Sequence, residues 1–227
     1  MKTSILCAFI ITSALVIVVP AQNQFRLNDA SKLVDVELDV GRCNDGSRGQ
    51  CGPLKVRFFR KNARRSFQTI TLPVTNVWDP VPKANVTNRY DDQSVINFED
   101  LNFDGVDDVA ICDGTNGGYG MPSYQIFLYS TTKKHFVFSR SFTRMNYGGL
   151  GMFETDPKRK MHFVYTKSGC CWHQTQGFDV YRGKPRKVYE LIEDATYRDG
   201  NVDKRGVRIT TGKLIRGRWR TWVKYVK

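Results

Sequence analysis

No stretch of this chain keeps a helical hydrophobic period for twelve residues, and that sets aside the folds built on helix packing. In its place comes a succession of short β-branched and aromatic runs, each closed by Gly, Pro or Asn. Leu33 to Val40 alternates as Leu-Val-Asp-Val-Glu-Leu-Asp-Val, and Val56 to Phe59, Phe67 to Leu72, Val95 to Phe98, Val109 to Cys112 and Tyr124 to Tyr129 continue the pattern. His135 to Ser139, Met161 to Tyr165, Phe178 to Tyr181, Val188 to Leu191, Val207 to Thr210 and Trp219 to Val226 complete it. The one helical candidate, around Leu191 to Tyr197, is brief. Turn signals roughly every ten residues predict a single all-β domain: a sandwich, barrel or propeller. Propeller blades take ~40 residues each, so the chain would suit about five small blades. A β-sandwich is the alternative, and no clean internal repeat decides between them.

The domain is expected to start at Gln22. Met1-Lys2 is a short positive start, Ile5 to Val19 is apolar, and Val19-Pro20-Ala21 suits a signal peptidase, so residues 1–21 read as a signal peptide and 22–227 as the mature domain. The apolar run is 15 residues long and is interrupted by Thr12 and Ser13; a bilayer needs ~20. The expectation is a periplasmic or secreted protein with no membrane span after cleavage.

Charge is unevenly distributed. The formal net charge is +13, and from Lys204 to Lys227 there are nine basic residues and no acid. A basic tail interleaved with Trp219, Trp222 and Tyr225 would suggest nucleic acid inside a cell. In an exported protein nucleic acid is not the expected partner, and the segment 204–227 points to an anionic cell-wall polymer or another anionic surface. A basic edge strand that resists edge-to-edge pairing has the same composition.

Five cysteines follow the signal segment, as suits an oxidising compartment. Cys43 and Cys51 enclose a turn-forming Asn-Asp-Gly-Ser-Arg-Gly-Gln segment, which predicts a bridge across a hairpin. Cys170 and Cys171 are adjacent, and neighbouring Cα atoms lie ~3.8 Å apart, closer than in most disulfides. Either they form a vicinal bond with Cys112 a buried thiol, which is the expectation, or one of them pairs with Cys112.

Asp100-Leu101-Asn102-Phe103-Asp104-Gly105-Val106-Asp107-Asp108 has the spacing of a calcium loop. Side-chain oxygens at positions 1, 3 and 5, a carbonyl at 7 and an acid at 9 can wrap one hard cation, with glycine at 6 for the sharp turn. The predicted Ca²⁺ ligands are Asp100, Asn102, Asp104, the Val106 carbonyl and Asp108. Ile111 stands where an EF-hand has glutamate, and strand-like runs flank the loop, so a strand-loop-strand site is expected. Asn, Asp and Gly also make ordinary turns.

Two further loops carry glycine and an aromatic residue: Gly117-Gly118-Tyr119-Gly120 and Ser168-Gly169-Cys170-Cys171-Trp172. Neither is a phosphate loop. Enzyme signatures are thin: His135, His162 and His173 lack metal-ligand spacing, Gly-x-Ser-x-Gly is absent, and Ser130-Thr131-Thr132-Lys133 lies between strand signals without partner motifs. No catalytic residue is assigned, and the protein is not expected to be an enzyme.

The run Asp100-Leu-Asn-Phe-Asp-Gly, the glycine stretch leading into Pro122-Ser123-Tyr124-Gln125-Ile126-Phe127-Leu128-Tyr129-Ser130, the Lys-Lys-His-Phe-Val segment at 133–137 and Ser168-Gly169-Cys170-Cys171-Trp172-His173 together resemble a known family. These are the bacterial periplasmic calcium-binding proteins typified by the Xanthomonas type IV secretion immunity protein. The resemblance covers about residues 94–190. It implies a compact β-propeller-like fold and, for some members, inhibition of lysozyme-type peptidoglycan hydrolases. Ser168 to Trp172 also resembles the Ser-Gly-x-x-Tyr signature of periplasmic lysozyme inhibitors, with Trp172 in place of tyrosine.

Two functions are therefore in view. One is an exported immunity or inhibitor protein whose loops, through Gly118, Tyr119, Ser168, Gly169 and Trp172, enter the cleft of a lysozyme-like hydrolase. The other is an envelope-binding or anionic-glycan-binding module that uses the basic aromatic C-terminal strands.

Overall fold

A computed structural model of the chain describes residues 23–44, 49–77, 82–89, 93–196 and 205–227. The expected signal peptide at 1–21 lies outside the described residues, as do Lys204 and residues 45–48 between Cys43 and Cys51. The described residues form three antiparallel sheets. The first runs β1 (Gln24–Leu27), β2 (Val34–Cys43), β3 (Gln50–Arg60), β4 (Ser66–Leu72), with β5 (Thr75–Asn76) beside β3. The second holds β6 (Ile96–Glu99), β7 (Asp108–Gly114), β8 (Ser123–Ser130) and β9 (His135–Phe138). After a short helix, α1 (Arg140–Met145), the third runs β10 (Glu154–Asp156), β11 (Met161–Ser168), β12 (Trp172–Tyr181), β13 (Lys184–Asp194), β14 (Val207–Ile215) and β15 (Arg218–Val226). Each sheet is a meander, so its contacts are mostly between strands adjacent in sequence.

Side-chain alternation explains how the sheets stack. In β2, Val34, Val36, Leu38 and Val40 point to one face, and that face is buried against the second sheet. The second sheet is buried on both faces. Val109, Ile111, Phe127 and Tyr129 join the core facing the first sheet, while Ala110, Cys112, Tyr124 and Ile126 join a second core with Phe142, Met145, Phe153 and Val164. That is why β7 reads as an unbroken apolar run, whereas β2 alternates. Beyond β12 the third sheet leaves the core, and every residue of β15 is exposed.

The all-β class agrees with the sequence reading, but the count differs: three sheets among the described residues, where about five blades were expected. The reason is strand length. β3 and β13 have eleven residues each and β12 has ten, while only their apolar middles are conspicuous in sequence. The helical candidate at Leu191–Tyr197 is corrected as well. Leu191 to Asp194 belong to β13 and pair with both β12 and β14, and Tyr197 lies outside the described residues. Helix α1 has six residues and buries only Phe142 and Met145, too few for a period to register.

Both disulfides are formed as expected. Cys43 and Cys51 face each other across the β2–β3 hairpin, and Cys170 bonds Cys171 with a Cα separation of 3.7 Å. Cys112 is a buried free thiol, and burial pushes its pKa up to about 11, which makes it unreactive. Among the described residues no helix is long and apolar enough to cross a membrane.

Candidate functional site

The loop from Asp100 to Asp107 links β6 to β7. Its turn depends on two left-handed residues, Phe103 at φ 59° and Gly105 at φ 90°, and glycine takes such a conformation without steric cost. The backbone N–H of Asp104 donates to Asp100 Oδ1 and to Asn102 Oδ1, both at 2.9 Å. Two oxygens sharing one donor are necessarily neighbours. Gly105 N–H donates to Asp100 Oδ2 at 2.8 Å, and Val106 N–H donates to Asp104 Oδ1 at 3.0 Å. The Asn102 amide closes the ring by donating to Asp104 Oδ2 at 2.8 Å. Asp100, Asn102 and Asp104 thus crowd their oxygens into one turn at the surface.

Asp108 has a different setting. It is fully buried. Its Oδ2 accepts the N–H groups of Leu101 at 3.0 Å and Asn102 at 3.2 Å, and its Oδ1 accepts that of Tyr129 in β8 at 2.7 Å. Burial pushes its carboxyl up to about 7; the three N–H groups pull against this and the Asp104 charge adds to it. Glu99 is also raised, by burial first and then by Asp100 and Asp107. Negative charge is therefore concentrated here at a cost.

The loop is fastened to all three sheets. Ser31, just before β2, donates its hydroxyl to Asp107 Oδ2 at 2.8 Å. Asp108 ties it to β8. His162 in β11 is fully buried, and its Nε2 donates to the Leu101 carbonyl at 2.8 Å while Phe103 stacks on the ring at 4.9 Å. Burial lowers the His162 pKa to about 4, so the imidazole is neutral. An unfolded chain would protonate it near 6.5, so acid favours unfolding between about 6.5 and about 4. The stability difference between the wild type and a His162→Gln variant, measured by denaturant titration at several pH values, should move against the wild type by about 3 kcal/mol across that window.

The donor set of the loop fits a hard cation: its side chains bring oxygen from two carboxylates and an amide into one turn, where backbone N–H groups and the Asn102 amide nitrogen already hold them. Asp108 Oδ1 keeps an acceptor position, because a carboxylate oxygen has two and Tyr129 uses one. Among the described residues no three His, Cys, Asp or Glu side chains form a ready-made metal cluster.

The two glycine and aromatic loops, some fifty residues apart in sequence, meet. The Tyr119 hydroxyl accepts a hydrogen bond from Gly169 N–H, and Lys167 Nζ lies 4.8 Å from the centre of the Tyr119 ring. Tyr119 is 55% exposed and sits at φ 58°, an uncommon conformation for a bulky residue, kept where surrounding structure enforces it. The enforcement comes from Gly117 and Gly118. A Cβ at Gly117 would come within 2.6 Å of the Met121 carbonyl, and one at Gly118 within 2.9 Å of the Gly148 carbonyl. The glycines here allow close backbone approach instead of giving a loose turn.

Ser168, Gly169 and Cys170 are the exposed tip of the β11–β12 hairpin, whereas Trp172 is the first residue of β12, half-buried and paired with Ser168 and Asp194. Sequence reasoning missed Tyr147, 81% exposed beside the Gly148–Gly149 backbone that packs on Gly118. The signal was present: Tyr147-Gly148-Gly149 repeats the combination of glycine and tyrosine seen at 117–120.

No family model and no curated protein matches this chain. A solved structure described as a Xanthomonas Type IV Secretion System related protein is similar, with a TM-score of 0.70 and 21% sequence identity, over 89% of this chain and 94% of that one. The two proteins share a fold.

Proposed function

We propose that this is an exported calcium-binding protein without catalysis of its own, which holds a lysozyme-like peptidoglycan hydrolase inactive by docking loops into its cleft. The observation that carries the reading is the union of the Tyr119 loop with the Ser168–Trp172 hairpin. A disulfide-stiffened tip and a fixed tyrosine lose little freedom on docking, and aromatic anchors supply buried area. Two disulfides suit a periplasmic or secreted location, and the shared fold with a secretion-system related protein is in keeping with a secretion-associated role. In fold terms, the same reading takes each meander as one blade of a small propeller-like stack.

Calcium has a structural part in this proposal. Asp100, Asn102, Asp104, the Val106 carbonyl and Asp108 would hold the ion, whose charge offsets the carboxylate crowding in the loop that joins the three sheets. Ca²⁺ at a hundredfold excess over its dissociation constant should raise stability by about 2.7 kcal/mol. Thermal melts in calcium and in chelator, with magnesium as control, test this; identical melting in all three, with no calcium found by elemental analysis, removes the ion from the account.

A further inference from the structure

The third sheet has an outer face that neither the calcium loop nor the aromatic loop pair uses. Its inner face carries Val164 and His162 into the core. On the outer face, strand register lines up Phe163, Gly177, Tyr189, Lys213 and Arg220 in one row across β11 to β15. Gly177 lowers the middle of that row: a Cβ there would come within 2.9 Å of Tyr189 and 3.0 Å of Met161. Beside the row lies an open cavity of about 520 Å³, whose walls include Arg159, Phe163, Tyr189, Lys213 and Ile215.

The acids of this face, Glu154, Asp156, Asp179 and Glu193, stand on β10, β12 and β13, and at its β14–β15 end the charge is one-sided. Lys213 and Arg220 are directly opposite each other on β14 and β15, a like-charge pairing that destabilises a sheet. Alternation along β15 sets Arg218, Trp222 and Lys224 on the same face as Arg220. Among the described residues no carboxylate forms an ion pair with Lys213, Arg218, Arg220 or Lys224. Trp222 is 48% exposed. By contrast Trp219, on the inner face, lies across Gly212 with Lys187 Nζ 5.2 Å from its ring. Solubility alone would be served by charges of either sign, and edge protection by a single lysine. A row of cations set against each other, with aromatic rings between them and a shallow groove at one end, is complementary to a chain of rings bearing anionic groups.

We propose that this face binds an anionic glycan, with sugar rings lying against Tyr189 and Trp222 and carboxylate or phosphate substituents held by Lys213, Arg220 and Lys224. The site is independent of the inhibitor reading and would keep the protein at the polymer-rich envelope surface.

Calorimetry on the mature protein with oligogalacturonate as the probe tests it, with neutral dextran oligomers, oligothymidylate and phosphatidylglycerol vesicles as comparisons. Oligogalacturonate should bind in preference to all three, and its affinity should fall about tenfold between 50 and 200 mM salt. Lys213→Ala and Arg220→Glu should each weaken binding about tenfold, and Trp222→Ala severalfold. Arg220→Glu sets an acid opposite Lys213, so its melting temperature should not fall, which separates lost binding from lost folding. Hydrolase inhibition should be unchanged in these variants. Absence of oligogalacturonate binding, equal binding of dextran, tighter binding of oligothymidylate or vesicles, or indifference to the substitutions would each overturn the proposal.

Discussion

Replacing Asp108 by alanine is expected to destabilise the protein by about 4 kcal/mol even in chelator, where no ion can be lost. The substitution leaves the N–H groups of Leu101, Asn102 and Tyr129 without their acceptor, and each buried unsatisfied donor costs about 1–3 kcal/mol. For a chain of this size that lowers the melting temperature by about ten degrees or more. Asp108→Asn should recover part of the loss, since its amide oxygen can still accept from one side of the site. Asp104→Ala makes the contrast: Asp104 is exposed and accepts one backbone bond, from Val106, so its effect should be small in chelator and should emerge only in calcium. If Asp108→Ala melts with the wild type once calcium is removed, Asp108 is a ligand alone and the anchoring role is wrong.

The second large effect is expected at the aromatic loops. Tyr119→Ala combined with Trp172→Ala should weaken the complex with a susceptible hydrolase by about 4 kcal/mol, taking ~2 kcal/mol for each central aromatic. The two should not contribute alike. Tyr119 is exposed and holds the hairpin tip through Gly169, so its loss acts on affinity with little change in melting. Half-buried Trp172 should cost stability as well. Tyr147→Ala should weaken binding while leaving the melt unaltered, because 81% of its surface is already open.

How far these features could be read from sequence depends on the range of the contacts behind them. The alternation of Leu33 to Val40 gives β2 directly, because burial on one face imposes a period of two. The strands β1 and β10 are not legible in the sequence, because at four and three residues they are too short for a period to register and are defined by the neighbours they pair with. Spacing in 100–108 is enough to suggest a cation loop, since its hydrogen bonds span only two to five residues. The burial of Asp108 is not legible, because one of its three donors comes from Tyr129, 21 residues away on another strand. Nor is the joining of the Tyr119 and Gly169 loops, which spans 50 residues. The aromatic tips were each visible; their contact was not.

Inhibition of a hydrolase is decided by a single titration. Calcium-loaded protein is added to a panel of lysozyme-like peptidoglycan hydrolases at moderate salt while cell-wall lysis is followed. Activity of at least one hydrolase should fall linearly to zero at one equivalent, the complex should survive the salt, and the Tyr119→Ala, Trp172→Ala protein, folded by its melt, should no longer inhibit. Undiminished lysis across the panel at excess protein, or equal inhibition by wild type and the double variant, would contradict it.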